Sequence, residues 1–303
     1  MSDSERAGGR AIDFRPLTDP VDPRTAREFD RELHRELGHR KDREGLDAGC
    51  LILVVLPVGL VFAAAFGLGL AANPSAWWWG AASGVILLAT AVLCVRAVRV
   101  AARRAKEMPT LRYRLARFAE ANGLLFLLEE KDPEPAGSLI GRGHAGRLDH
   151  VLRWPDDGVE AGSYHYVTRS VKATTPWDHG YARVRDVGPA PELVLDATSA
   201  RSRLDQLLGP GASGQETELV APGGAGFTLR TRPRDTERAQ AFVDDGLLGL
   251  LAQHPVNLEV VDGEAFLSLR ADTTLPMTDP ETWLWLLELA AALRERARSG
   301  ERG

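Results

Sequence analysis

Residues 257–269, with the sequence NLEVVDGEAFLSL, contain two short apolar segments separated by an aspartate and a glycine. Apolar and polar residues alternate on both sides, which is the pattern of half-buried strands. Asp262-Gly263 between them favours a two-residue turn, because such turns need residues that accept a positive φ. These residues therefore predict a β-hairpin, with strands at about Asn257–Val261 and Ala265–Leu269.

Further extended segments precede this hairpin, and helical segments are grouped around it. The strands are predicted at about Leu124–Glu129, His150–Trp154, Ser163–Thr174, Tyr181–Asp186, Glu192–Ala197, Glu216–Ala221 and Phe227–Arg232. The helices are predicted at about Thr110–Ala121, Asp235–Val243, Gly246–Gln253 and Thr278–Arg298. Runs of strands with grouped helices predict an α+β fold with a mainly antiparallel sheet and a few packed helices.

A stretch without charged residues, from Ala48 to Val95, precedes this region. One membrane crossing needs about 20 apolar residues, so this length predicts two transmembrane helices joined at Asn73-Pro74-Ser75. Basic residues flank both ends and are missing from the turn, which predicts a multi-pass protein of the cell inner (plasma) membrane with cytoplasmic N- and C-termini. The expected fold class is a transmembrane helical hairpin followed by the α+β domain.

This division predicts five segments along the 303 residues. They are a disordered N-terminus at 1–21, a juxtamembrane amphipathic helix at 22–47, the transmembrane hairpin at 48–98, a basic juxtamembrane linker helix at 99–110 and the cytoplasmic α+β domain at 111–299. Asp22 is the expected N-cap of the amphipathic helix. The narrow apolar face of that helix suits a helical partner, the membrane surface or the domain itself equally well.

Two sets of residues in and around the hairpin have predicted roles. Tryptophans favour the headgroup level of a bilayer, and arginines attract anionic headgroups. The predicted membrane anchors are Trp77, Trp78, Trp79, Arg96, Arg99, Arg103 and Arg104. Small residues at every fourth position let helices approach closely, either within the hairpin or in a homo-oligomer. The predicted packing positions are Gly59, Ala63, Gly67, Ala71, Gly80 and Gly84.

The charge and the cysteines exclude several classes of protein. The formal net charge is −5, and the region after Met108 has about 22 basic and about 29 acidic residues. A phosphate-binding surface requires the opposite sign, so no nucleic-acid partner is expected. Cys50 and Cys94 both lie in the apolar stretch, which excludes a disulfide scaffold and cysteine-based zinc sites from the domain.

The sequence shows no motif that supports catalysis or a cofactor. Gly141–Gly146 matches the dinucleotide-binding pattern by letter, but the residues after it are extended, so a glycine-rich loop between strands is expected. The histidines without metal-ligand spacing are His144, His150, His165 and His179. Asp244-Asp245 are explained as helix caps. We expect no catalytic residue, no metal and no cofactor.

A diffuse pattern of strand and helix segments extends through the domain. It comprises Tyr164–Thr168, Trp177–Tyr181, Pro191–Asp196, Phe227–Pro233, Asp235–Gln253 and Leu258–Asp262. Over about Leu111 to Leu293 it resembles a group of actinobacterial membrane proteins of unknown function, similar to a broader bacterial family that pairs two transmembrane helices with a cytoplasmic domain. A glycine-containing turn expected after the tyrosine strand is replaced here by Arg169-Ser170-Val171. The resemblance implies the architecture and supplies no catalytic residue.

Because reactive groups do not converge in the sequence, it predicts a non-enzymatic, membrane-tethered cytoplasmic domain that binds another protein. The alternative is a membrane-anchored sensor or binding domain for an unknown small ligand, with a pocket lined by Trp154, Trp177 and Tyr181. An enzyme using His165 or His179 would require these histidines to cluster with a carboxylate in a cleft. The expected partners are the lipid bilayer and a protein partner or a second copy of the chain.

Overall fold

The computed structural model describes residues 4–7, 10–36, 61, 64, 78–134, 136–141, 143–169, 174–197, 215–254, 256–269 and 273–300. The chain divides into two compact units. The large unit contains Met1–Asp19 and Arg114–Gly303, and the small unit contains Pro20–Tyr113. The division into five predicted segments, as a whole, stays a prediction.

The N-terminal residues of the large unit form secondary structure where polar composition predicts disorder. Strand β1 (Ser4–Ala7) pairs antiparallel with β2 (Arg10–Asp13), and the single-turn helix α1 (Arg15–Thr18) follows. Composition underestimates this segment because a few apolar side chains anchor it. The anchoring side chains, all of them buried, are Ile12, Phe14 and Leu17.

Two helices make up the described part of the small unit. Helix α2 (Pro23–Glu36) begins after Asp22, whose carboxylate accepts a hydrogen bond from the Arg24 N–H at 3.0 Å, as expected for the predicted N-cap. Helix α3 (Trp78–Asn122) starts in this unit and ends in the large one. Residues 37–47 of the predicted amphipathic helix lie outside the described residues.

None of the described helices combines the length and the apolar character that a membrane crossing requires. This finding overturns the predicted transmembrane hairpin at 48–98, the multi-pass inner-membrane location and the membrane part of the fold class. The first predicted span lies outside the described residues. The second span is the start of α3, which is uncharged only from Trp78 to Val95 and begins with two tryptophans followed by a run of Gly, Ala and Ser. That uncharged part is shorter than the roughly 20 residues of a crossing.

Helix α3 also unites segments that the sequence separates. The second predicted span, the linker helix at 99–110 and the helix predicted from Thr110 form one continuous helix of 45 residues, which includes Pro109. Proline removes one backbone hydrogen bond, and the turns on both sides of Pro109 remain helical. The predicted end at Asn122-Gly123 is confirmed, since Gly123 has a φ of 68°, as in a glycine C-cap.

The large unit contains one extended antiparallel sheet. Its strands in the described part of the chain are β3 (Leu125–Lys131), β4 (His144–Trp154), β5 (Val159–Arg169), β6 (Thr174–Val184), β7 (Leu193–Ala197), β8 (Gln215–Val220), β9 (Gly226–Thr231), β10 (Val256–Val261) and β11 (Glu264–Leu269). They are arranged in the order β3-β4-β5-β6-β11-β10-β7-β9-β8. Every neighbouring pair is antiparallel. The predicted α+β fold with an antiparallel sheet is therefore confirmed.

The hairpin predicted at residues 257–269 lies in the interior of this sheet. Strands β10 and β11 are joined by Asp262 and Gly263, whose φ angles of 51° and 75° are those of a type I′ turn. The hairpin inserts between β6 and β7. Its apolar side chains are consequently flanked by neighbouring strands on both sides.

Helices cover one face of the sheet. They are α4 (Thr236–Phe242), preceded by a 3-10 turn at Pro233–Asp235, α5 (Asp245–Ala252) and α6 (Pro280–Gly300). The Asp244 carboxylate accepts a hydrogen bond from the Leu247 N–H at 2.8 Å, which confirms its predicted role as a helix cap. The Trp283 ring on α6 packs edge-on against the Trp154 ring, with centroids 5.2 Å apart. The core of the large unit lies between this helix layer and the sheet.

The opposite face of the sheet has a smaller apolar cluster and a row of ion pairs. The turn at 136–141 places Leu139 and Ile140 over the rings of Tyr164 and Tyr181. Farther along the sheet, charged residues of adjacent strands pair side by side. The pairs are Arg183–Glu264, Arg230–Asp196 and Arg232–Glu192. Sheet neighbours with opposite charge stabilise the pairing of their strands.

Candidate functional site

His165 and His179 lie on opposite faces of the sheet, so they do not form one site. His179 is buried, and its Nδ1 lies 3.0 Å from the carbonyl oxygen of Leu269. Its ring stacks on the Tyr166 ring, with centroids 5.8 Å apart. The backbone partner and the stacking explain His179 as a packing residue. His165 instead pairs with Asp178 across strands β5 and β6.

His165 belongs to a group of charged side chains at one end of the sheet, which we name the charged cluster. Its members are Glu129, Arg147, Asp149, His165 and Asp178. The Nδ1 of His165 lies 2.8 Å from Oδ1 of Asp178. The Nε of Arg147 lies 2.9 Å from the Asp149 carboxylate and 3.9 Å from that of Glu129. Strand register places Arg147 opposite His165 and Glu129 opposite Asp149, so the residues share one face.

These contacts change the acidity of several members of the charged cluster. The hydrogen bond with Asp178 raises the pKa of His165, and the same bond lowers the pKa of Asp178. Burial raises the pKa of Asp149, although the charge of Arg147 opposes this. The side chain of His165 is 25% exposed and that of Asp178 is 56% exposed. Solvent therefore screens the pair while His165 holds its proton at a higher pH than an ordinary histidine.

A histidine paired with a carboxylate can exchange protons with a group that lies within hydrogen-bond reach. One condition of the enzyme hypothesis, a carboxylate beside a histidine, is met by His165, whereas His179 lies on the other face. Among the described residues, no group of three or more His, Cys, Asp or Glu is arranged to hold a metal ion. The chemistry that the charged cluster offers is thus proton exchange at His165.

A second polar group is buried on the face of the sheet opposite the helix layer. Glu160 is almost fully buried, and its two carboxylate oxygens have different partners. Tyr181 donates its hydroxyl to Oε1 at 2.7 Å, and Arg153 donates its Nε–H to Oε2 at 2.5 Å. Burial, followed by the Glu160 charge, raises the pKa of Tyr181 well above its ordinary value. The polar atoms of this group bind one another, and these bonds link strands β4, β5 and β6.

The ligand pocket predicted from aromatic residues does not form as expected. Trp154 points into the core and packs against Trp283 and Phe118. Tyr181 lies on the opposite face, where it belongs to the smaller apolar cluster with Trp177 packed beside it. The structure therefore does not bring Trp154, Trp177 and Tyr181 to one pocket.

The glycine-rich loop has the structure expected of a connection between strands. Gly141 and Gly143 have φ angles of 104° and 70°, and β4 begins directly afterwards at His144. A dinucleotide site would need a helix at this point, with its N-terminus facing the phosphates. The prediction of a loop is confirmed, and Arg142 lies outside the described residues.

Most of the exposed large apolar side chains among the described residues lie on the small-unit part of α3. We name one row of them the apolar stripe, consisting of Val85, Leu88, Val92 and Val95. These side chains are 67%, 67%, 48% and 47% exposed. Their 3-4 spacing places them on one side of the helix, which is the spacing of a helix seam that packs against another helix. Leu93 and Val98 are also exposed beside them.

Basic residues continue from the apolar stripe along α3. Arg96, Arg99 and Arg103 are exposed, and residues 78–106 contain no acidic residue, so the first carboxylate on this part of the helix is Glu107, four residues after Arg103. Seven residues of an α-helix rise about 10.5 Å, which is the axial separation of Arg96 and Arg103. The surface therefore joins an apolar row to a row of positive charge.

The residues predicted as anchors and packing positions fall into two groups. Gly59, Ala63, Gly67, Ala71 and Trp77 lie outside the described residues. Trp78, Trp79, Gly80, Gly84, Arg96, Arg99, Arg103 and Arg104 lie along α3. A Cβ added at Gly84 would meet nothing within 4 Å, so the described structure has no close helix at this position. The roles assigned to both groups stay predictions.

A groove runs between helices α5 and α6 on the outer side of the helix layer. It has a volume of about 520 Å³ and is open to solvent. We name it the helix groove. Small and apolar residues form most of its lining: Gly246, Gly249, Leu250, Ala291 and Ala292. Gln253, Glu288, Glu295 and Arg296 complete the lining, which therefore contains two carboxylates and one guanidinium.

Sequence reasoning missed both of these surfaces for different reasons. The 3-4 spacing of Val85, Leu88, Val92 and Val95 is visible in the sequence, but the uncharged residues around it predict a membrane helix. The helix groove gives no comparable signal, because it depends on how closely α5 packs beside α6. The hydrogen bond from the Trp285 indole to the Leu250 carbonyl at 2.8 Å helps to fix that packing.

Comparison with protein-family models finds no match, and neither do comparisons with curated proteins or with solved structures.

Proposed function

We propose that this protein is a non-enzymatic interaction protein that binds another protein through the apolar stripe of α3. The observation that carries the proposal is the exposure of Val85, Leu88, Val92 and Val95 in one row. Contiguous exposed apolar surface marks interaction sites in proteins, whereas single exposed apolar residues do not. The charged residues on the sheet, by contrast, form ion pairs with one another.

The spacing of the apolar stripe supports a helical partner. Side chains in 3-4 spacing insert between those of a facing helix, and the two helices then cross at a small angle. Burying a fully exposed valine or leucine contributes about 1.5–3 kcal/mol, so covering four half-exposed side chains favours association by several kcal/mol. The arginines that follow the stripe select a partner with acidic residues near its apolar face.

A photo-crosslinking amino acid at position 88 of the full chain tests this proposal in the producing cell. We expect a protein adduct from Leu88 and from Val92. The matched control is Glu120, which lies on the same helix with a 69% exposed side chain but outside the stripe. Equal adducts from positions 88 and 120, or none from 88, would refute a partner on the apolar stripe.

The small-ligand alternative lacks a comparable observation. Its predicted lining residues, Trp154, Trp177 and Tyr181, are divided between the two faces of the sheet. The interaction proposal is therefore the better supported of the two.

A further inference from the structure

We infer that the partner of the apolar stripe is the helix groove of a second copy of this chain, which rests on the proposed function and names its partner. Each copy would then contribute one stripe and one groove to the assembly.

The lining of the helix groove suits a helix with medium-sized apolar side chains. A Cβ added at Gly249 would meet nothing within 4 Å, so the backbone of α5 is accessible at this position. Ala291 and Ala292 on the facing side of α6 have small side chains that project little into the groove. Small residues on two adjacent helices leave room for the valine and leucine side chains of an incoming helix, as holes receive knobs.

The charges on the two surfaces are opposite and equally spaced. Glu288 and Glu295 are exposed on α6 and are seven residues apart, as are Arg96 and Arg103 on α3. Both pairs are thus separated by about 10.5 Å along their helices. Arg296 also lines the groove, but it does not cancel the acidic pair, because its guanidinium is bound to the Asp244 carboxylate at 2.5 Å. Two helices lying side by side can therefore form two ion pairs in register.

Pairing of two apolar stripes with each other fits the charges less well. Residues 78–106 contain no aspartate or glutamate. A parallel stripe-to-stripe contact would place Arg99 beside its own copy, and like charges disfavour that arrangement. An antiparallel contact would place the arginines opposite uncharged residues. The helix groove provides the carboxylates that both arrangements lack.

The experiment measures the mass of the purified full chain by sedimentation over a wide range of concentration. The wild type is expected to associate. The double variant Arg96→Glu/Arg103→Glu should weaken association about tenfold or more, as should Glu288→Arg/Glu295→Arg, since each turns two attractions into repulsions. Combining all four substitutions should restore association, because the charges are again opposite.

Two further variants separate the groove from the charges. Gly249→Leu places a side chain in the groove, where its Cβ meets nothing within 4 Å, and should abolish association while leaving the unfolding temperature unchanged or higher. Gly249→Ala is its matched control and should associate almost normally. Arg117→Glu, on the same helix beyond the stripe, controls for the change in net charge and should have little effect.

The outcomes distinguish this inference from the proposed function. A chain that stays monomeric at all concentrations, or groove variants that associate like the wild type, would overturn the inference. If position 88 still gives a protein adduct in that case, the proposed function stands with a different partner. Loss of association on Arg96→Glu/Arg103→Glu without rescue by the groove charges would likewise overturn the groove as the partner surface.

Discussion

The two units of this chain use apolar and charged side chains in opposite ways. In the large unit, Phe118 and Trp154 are fully buried in an aromatic cluster. In the small unit, Val85 and Leu88 are two-thirds exposed, whereas the charged residues Asp30 and Arg112 are buried. Helix α3 belongs to both units, so one helix shows both patterns along its length.

The difference indicates what stabilises each unit. The large unit is stabilised by area removed from water, because its core side chains pack against a sheet and three helices. The described part of the small unit is held by a specific polar contact, with the Arg112 guanidinium 3.0 Å from the Asp30 carboxylate and the Phe29 ring packed edge-on against Tyr113. The apolar stripe takes no part in these contacts.

Phe118→Ala should have the largest effect on stability, because it removes a ring at the centre of the buried aromatic cluster of the large unit. The Phe118 ring contacts those of Phe14, Trp154 and Trp283 at centroid distances of 5.8, 6.1 and 5.5 Å. We expect the free energy of unfolding to fall by about 3–5 kcal/mol, measured by urea denaturation. Leu88→Ala is the matched control on the same helix and should change it by less than about 0.5 kcal/mol.

Arg112→Met should be next, because it leaves the buried Asp30 carboxylate without its guanidinium partner. Protection of α2 against hydrogen exchange should fall by about 3 kcal/mol. The double variant Asp30→Leu/Arg112→Met should cost less than Arg112→Met alone, since no buried charge remains. Arg117→Met breaks the exposed Arg117–Glu120 pair and should cost less than about 1 kcal/mol. A double variant as unstable as the single one would contradict this account of the small unit.

Tyr181→Phe tests the contribution of one hydrogen bond to Glu160, which is buried in the large unit. The change removes the hydroxyl that donates to Glu160 but leaves the bond from Arg153 in place. We expect a loss of about 1–2 kcal/mol in thermal or urea unfolding, since one of two partners of a buried carboxylate is lost. Tyr113→Phe removes the same atom in the small unit and provides a comparison. A loss below about 0.5 kcal/mol at Tyr181 would contradict this assignment.

The His165–Asp178 pair should have a small effect on stability with a defined pH dependence. The raised pKa of His165 gives stability that is complete below its unfolded value of 6.5 and is lost as pH rises through the folded pKa. The lowered pKa of Asp178 gives stability that is present above 3.8 and is lost as pH falls through the folded pKa. The pair therefore contributes most between these two values, by about 0.5 kcal/mol for such an exposed pair.

Nuclear magnetic resonance titration checks this prediction directly. In Asp178→Asn the pKa of His165 should fall towards its ordinary value. His254, whose pKa is lowered by burial, should titrate unchanged in the same sample. A His165 titration that does not respond to Asp178→Asn would show that the carboxylate is not its partner in solution.

The sequence predicted the large unit well because its signals are local. The alternation in Asn257–Leu269 and the turn at Asp262-Gly263 specify a hairpin without reference to distant residues. The Asp244 cap and the Gly123 helix end are equally local. The order of the strands is different: insertion of β10-β11 between β6 and β7 depends on long-range pairing, for which the sequence has no spacing rule.

The candidate site was predicted poorly for a related reason. Hydropathy indicates that a segment has little affinity for water, but it does not indicate whether lipid or protein contacts that segment. The uncharged residues around Leu88 therefore predicted a membrane crossing. The pairing of His165 with Asp178 needs the register of β5 and β6, and the helix groove needs the packing of α5 beside α6. Both are consequences of tertiary structure that composition and periodicity do not contain.

The position of the β10-β11 hairpin also determines when the sheet can be completed during translation. Strands β3 to β6 leave the ribosome first and β7 to β9 follow, but in the described sheet these two groups are joined through residues 256–269, which are translated later. Until then, β6 and β7 each expose an unpaired edge to the crowded interior of the cell, where open edges recruit foreign strands. The nascent chain is thus exposed to association with other chains until this short hairpin has been translated.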